Sequence, residues 1–211
     1  NYPLAEEHFQ AKLKIRRSIG HRYGEANALS HLGWLAYDQQ KPDVGLEYCR
    51  QALAISKTIN DPENEAYALS GMGLNCEASG HLDSAASKYQ TALAIHTEIG
   101  ATTLAIFDRA GLARIALAQD NQTDAGKHIH VVANWVLSGN AQKFWDPWII
   151  YQSSYNVLNA LGQSDTARTI LTEAHTVLHQ RANEISDDEL RDCFLTKVAA
   201  NRELEETWHM L

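Results

Sequence analysis

The sequence predicts an all-α solenoid of helix pairs, and three echoes within it predict that class. Glu25-Ala26-Asn27-Ala28-Leu29-Ser30 returns forty residues later as Glu65-Ala66-Tyr67-Ala68-Leu69-Ser70. Gly33 returns as Gly73, and Ala52-Leu53-Ala54-Ile55 returns as Ala92-Leu93-Ala94-Ile95. A fixed period near forty marks an architecture in which each unit buries its apolar face only against its neighbours. No segment reads as a strand.

The elements follow in order. Residues 3–20 read as the second helix of a truncated repeat, because Ala5, Phe9, Leu13, Ile15 and Ile19 fall one period before Gly45, Cys49, Leu53, Ile55 and Ile59. His21–Gly24 reads as a connector. The first full pair covers 25–59: a helix to about 39, with Leu29, Leu32, Leu35 and Ala36 inward and Gly33 at a close crossing, then a helix over about 43–58. Pro42 sits in the first turn of that second helix, where its missing N–H costs nothing. Asp61 as N-cap and Pro62 at the first helical position open the pair 63–99, and Ser79-Gly80 separates its helices.

The third pair, 102–138, has Ala113 where the glycine is expected, and Asp120-Asn121 makes its turn. Ala125, Ile129 and Val132 keep its inward face. Ser138-Gly139-Asn140 stretches the period by two residues before the pair 144–182. That pair starts on Asp146-Pro147, turns at Gly162, and buries Ala167, Leu171 and Ala174. Ser186-Asp187-Asp188-Glu189 reads as a capping box with Ser186 as N-cap, opening one helix over 187–208 that caps the open end of the stack.

Composition narrows the function. Of 211 residues, eighteen are Lys or Arg and twenty-six Asp or Glu, for a net charge of −8 with no basic block, which argues against DNA or RNA as a partner. No apolar run reaches the roughly 18 residues of a membrane span, and no signal peptide opens the chain. Cys49, Cys76 and Cys193 are odd in number and far apart, which fits reduced, mostly buried thiols in a cytoplasm. The chain opens at Asn1 in mid-pattern and reads as a piece of something longer.

The spacing within each unit resembles the tetratricopeptide repeat (TPR). Leu69, Met72 and Gly73 on a first helix with Ala85, Tyr89 and Ala92 on a second match it best; Leu29, Leu32, Gly33, Gly45, Cys49 and Ala52 repeat the register. The tail carries a narrower likeness. Asp146-Pro147-Trp148 through Ala160-Leu161-Gly162, then Ala174-His175 and Leu178, together with Ser186 through Phe194-Leu195 and Asn201-Arg202-Glu203-Leu204, is similar to the last repeats of large bacterial signalling proteins. Those join a STAND-type ATPase to a DNA-binding or cyclase domain. The resemblance implies a right-handed superhelical α-solenoid serving as a regulatory arm that is not a catalyst. The implied partner is a protein, a peptide, another domain of the same chain, or a small-molecule effector.

Candidate chemistry is sparse. His175 and His179 stand one helical turn apart, a spacing that can put two imidazoles on one zinc. Glu173 lies on another face and no cysteine pair is near, so no third ligand is evident, and neither metal nor cofactor is expected. His128 and His130 lie two apart on a helix and diverge. Cys76, His81 and Asp83 assemble a nucleophile triad on paper only, because Cys76 falls on an inner helix face. The aromatic cluster Trp135, Phe144, Trp145, Trp148, Tyr151 and Tyr155 reads as filling for the gap where the period slips, with a ligand wall as the alternative.

In a tetratricopeptide stack the first helices line the concave side. Transferred unit by unit, the groove positions are Asn27, Ser30, Trp34 and Tyr37; Tyr67, Ser70, Leu74 and Glu77; Phe107, Ala110, Arg114 and Leu117; and Ile149, Gln152, Asn156 and Asn159. A surface so mixed in aromatic and polar groups suits a peptide or a small polar ligand. Arg114 is the one cation among these positions, which makes an acidic peptide a poor match. The expectation is that the groove aromatics, Trp34 and Tyr67 above all, are exposed and contribute little to packing.

Overall fold

The computed structural model describes residues 2–144 and 147–210 and is all-helical among them. Its helices are α1 (Tyr2–Ser18), α2 (Arg22–Asp38), α3 (Pro42–Thr58), α4 (Pro62–Ala78), α5 (Leu82–Glu98), α6 (Thr102–Ala118), α7 (Gln122–Leu137), α8 (Trp148–Ala160), α9 (Ser164–Asn183), α10 (Asp188–Lys197) and α11 (Ala199–His209), with a 3₁₀ turn at Ala141–Lys143. The chain forms two compact units, Asn1–Ile115 and Ala116–Leu211. Within each, helices pack on their neighbours in sequence, as in a helical repeat.

The joints explain the regularity. Gly20, Gln40, Asn60, Gly80, Gly100 and Asp120 all take positive φ, so a left-handed residue stops a helix every twenty positions. Gly139 and Gly162 continue the device after the period slips. Asp61 caps α4 by accepting from Asn64 N–H at 3.2 Å, with Pro62 behind it.

In the first unit, Leu13, Ala26, Ala28, Leu29, Leu32, Ala52, Ile55 and Ala68 make one buried cluster. Helix approach depends on missing side chains. A Cβ on Gly33 would run into Cys49 Sγ and lie 3.1 Å from the Gly45 carbonyl oxygen, so α2 and α3 cross there backbone to backbone. Asn75 ties this crossing to α4, donating to the Gly33 and Gly71 carbonyls at 3.2 and 2.8 Å.

Several expectations are corrected. Helix α2 starts at Arg22, because His21 Nδ1 accepts from Gly24 N–H at 2.9 Å and so makes the supposed connector its first turn. Ile15 and Ile19 are exposed: α1 packs chiefly on α2, whereas α3 packs on both α2 and α4. Asp187, not Ser186, caps α10 through Leu190 N–H at 2.9 Å. The closing helix is two helices: Val198 is extended, and buried Asn201 donates to the Phe194 carbonyl across the break at 2.8 Å. Both pack on α9 and α11 also touches α8, so the end of the second unit is covered by a bent pair. Helix α8 begins at Trp148 after Pro147; Asp146 and Trp145 lie outside the described residues.

Candidate functional site

The groove positions of the first unit turn inward. Trp34, Phe107, Ser30, Ser70, Leu74 and Ala110 are buried; Asn27, Tyr37, Tyr67, Glu77 and Arg114 are half-buried. Trp34, expected on an exposed wall, is 6% exposed. It stacks on Tyr67 at 4.9 Å and 8°, and the Phe107 ring lies 4.8 Å away, tilted by 40°. The cause is Gly71, one turn beyond Tyr67, where a Cβ would fall 2.7 Å from Trp34 Nε1. The bare backbone lets the indole fold into the seam between α2 and α4.

The ring contacts run on. Phe9 stacks on His31 at 5.1 Å, His31 meets Tyr67 edge-on at 5.5 Å, and Phe107 meets Tyr89 at 6.2 Å. Burial, with Lys12 nearby, pulls His31 down to about 4, so at neutral pH it is one more uncharged ring. Gly111, rather than the expected glycine two residues later, admits Tyr89: a Cβ there would lie 2.6 Å from its ring.

The polar groove positions satisfy one another. Arg114 grips Glu77 through two hydrogen bonds of 2.7 Å, and Tyr89 donates to the same carboxylate at 2.9 Å. Asn27 accepts from Lys12 at 2.8 Å. Ser70 donates to Asp108 at 2.6 Å, and the other Asp108 oxygen lies 2.7 Å from His96 Nδ1, all three groups fully buried. Burial raises Asp108 above the usual carboxylate range, against the pull of His96 and Ser70. The serine is bonded to the acid and not to the imidazole, so this is no nucleophile–base relay. Sequence reasoning missed the pair, although a signal was present: His96 and Asp108 stand where the preceding unit has Ser56 and Ala68.

The paper triad does not assemble. Cys76 is buried with its Sγ 3.5 Å from Ser84 Oγ, and His81 is exposed at the start of α5. Burial pushes the Cys49 thiol up to about 12.

The second unit places its groove residues differently. Gln152 and Asn156 line a crevice with Trp148, Tyr151, Tyr155 and Leu171 on one side and Ala200, Glu203, Leu204 and Thr207 of α11 on the other. Arg181 lies over the Trp148 ring at 5.4 Å and donates to the Gln142 and Phe144 carbonyls, fixing that indole. Tyr151 donates to Glu173 at 3.1 Å, and burial raises both groups. The aromatic cluster therefore divides: Phe144 and Tyr151 are core, whereas Trp148 and Tyr155 are half-buried crevice walls. Trp145 lies outside the described residues.

The missing third partner of the histidine pair comes from α11. His175 Nε2 and His179 Nε2 lie 3.5 and 2.7 Å from the two oxygens of Glu205, and His209 Nε2 lies 3.8 Å from the oxygen facing His175. His175 also stacks on Trp208 at 4.6 Å, and burial holds it below its ordinary range although Glu205 pulls the other way. These donors sit at the surface of the second unit, half-buried except for His209, which is exposed.

No protein-family model matches this chain, and no curated protein does. No described helix is long and apolar enough to cross a membrane.

Proposed function

We propose that the chain is a non-catalytic interaction module of a larger bacterial signalling or transcription-regulatory protein, of the kind its tetratricopeptide-like repeats resemble. On this reading it captures a peptide or protein partner through the crevice between α8 and α11. The observation that carries the proposal is the crevice itself. It is walled by two half-buried rings, Trp148 and Tyr155, beside the amides of Gln152 and Asn156. An anchoring aromatic or aliphatic side chain would stack on the rings, while the amides pair with the partner's backbone. The module would work in the cytoplasm, where its three thiols stay reduced.

A second reading, a small-molecule effector, is favoured by the way α11 roofs the crevice. Both ligands offer the same chemistry, so one experiment must separate them. A peptide library displayed on phage and a metabolite panel scored by thermal shift are screened against the wild type, Trp148→Ala and Tyr155→Ala. Hits from the peptide library that either substitution weakens by tenfold or more support the first reading. Hits from the metabolite panel alone support the second. Hits from both sources that keep full affinity in both variants would move the site elsewhere.

A further inference from the structure

We infer that His175, His179 and Glu205 form a zinc site that ties α11 to α9, with the exposed His209 swinging in as its fourth ligand. The argument is geometric. His175 and His179 are i and i+4 on α9, Glu205 and His209 are i and i+4 on α11, and each pair presents its donors on one face. One donor atom each from His175, His179 and Glu205 lies within 4.8 Å of the other two. Tetrahedral zinc with bonds of about 2.0–2.1 Å spaces its ligand atoms by roughly 3.3 Å. The His175 and His209 nitrogens lie 3.5 and 3.8 Å from one Glu205 oxygen, close to that spacing, and His179 lies 2.7 Å from the other oxygen, so a small turn of the carboxylate presents one oxygen to all three.

Donor chemistry selects the ion. Three imidazoles and one carboxylate suit zinc, whereas magnesium and calcium call for an oxygen shell. Trp208 stacked at 16° on the His175 ring holds that ligand in place, and the exposed His209 leaves a path for entry. A carboxylate engaged by two histidines from another helix has a ready use as a cross-link between the two. Because α11 also supplies Glu203, Leu204 and Thr207 to the crevice, zinc would stiffen that wall.

The test is calorimetric titration of the whole chain with zinc chloride after dialysis against a chelator, with magnesium chloride as control. The expected result is saturable binding of one zinc per chain and none of magnesium. His179→Ala and Glu205→Gln should each weaken zinc by at least tenfold, and His209→Ala by at least threefold. Cobalt added in place of zinc should give the intense visible absorption of a four-coordinate N/O site, lost in His179→Ala. Metal-free melting curves and far-ultraviolet circular dichroism check that each variant folds; if Glu205→Gln does not, His175→Ala replaces it in the comparison. Absence of saturable zinc binding overturns the site, as does binding that survives in His179→Ala. An unchanged titration in His209→Ala overturns the four-ligand arrangement.

Discussion

Two seams of this molecule occupy the same place in the repeat and are treated in opposite ways. Trp34 and Asn156 fall at one register position of their respective first helices. Around Trp34, in the first unit, the space between α2 and α4 is filled by its own indole, by Tyr67 and by Phe107. Around Asn156, in the second unit, the space between α8 and α11 is left as a crevice. A repeat position is therefore not a role. It opens or closes according to the bulk at that position and the bareness of the helix it faces, and at this register position the second unit leaves an open crevice.

The widest gap between the two seams should appear on truncation. Trp34→Ala removes a fully packed ring and should cost about 3–5 kcal/mol in urea unfolding, as large aromatic core truncations do. Asn156→Ala, exposed at the matching position, should change stability by less than about 0.5 kcal/mol. Comparable losses in the two variants would erase the distinction.

Polar filling marks the closed unit as well. Asp108→Ala strips the partner from a fully buried imidazole and should destabilise by about 3 kcal/mol. Pairing it with His96→Ser recreates the Ser56 and Ala68 pattern of the preceding unit and should recover at least half of that loss. A double variant as unstable as the sum of its singles would show that the pair does not act as a unit.

A smaller effect separates cause from consequence at the closed seam. Gly71→Ala places a methyl 2.7 Å from Trp34 Nε1 and 2.8 Å from Cys49 Sγ. Overpacking of about 1–3 kcal/mol, partly offset by about 1 kcal/mol of helix propensity, leaves a net cost near 1 kcal/mol. In a Trp34→Ala background that cost should fall by at least half, since the main obstacle is gone. Chemical denaturation of the four proteins reads both numbers.

Much of the fold was legible because repetition is a property of the chain. The echoes of Gly33 in Gly73 and of Ala52–Ile55 in Ala92–Ile95 placed nearly every helix, and Gly80 and Gly162 marked their stops. Gln40 did not advertise its left-handed turn, since nothing in a glutamine favours positive φ. The site was less legible, because it depends on pairs far apart in sequence. Trp34 is buried through Gly71, thirty-seven residues on, and Glu205 reaches His175 from thirty residues away. The break at Val198, which turns α11 back onto α9 and α8, gives no sequence signal comparable to a glycine or proline.

The finest test of the contrast is to give the open seam the residue that closes the other. Asn156→Trp puts an indole where Trp34 sits in its own unit, but the facing helix differs. At α4 the indole meets a bare Gly71; at α11 it would meet the side chains of Ala200, Leu204 and Thr207 across the crevice. The ring should therefore enter the crevice and pack on Tyr155 and Leu204 while displacing little, so stability should move by no more than about 1 kcal/mol, upward if the fit is good. Fluorescence difference spectra against the wild type, which already carries five tryptophans, should report a blue-shifted ring poorly quenched by acrylamide. Asn159→Trp, on an exposed position of the same helix, supplies the red-shifted, quenchable control. The filled variant should also lose the peptide or effector that the crevice binds, while Asn159→Trp retains it. If the two variants give the same red-shifted emission, α11 does not roof the crevice, and the opposition between the seams fails.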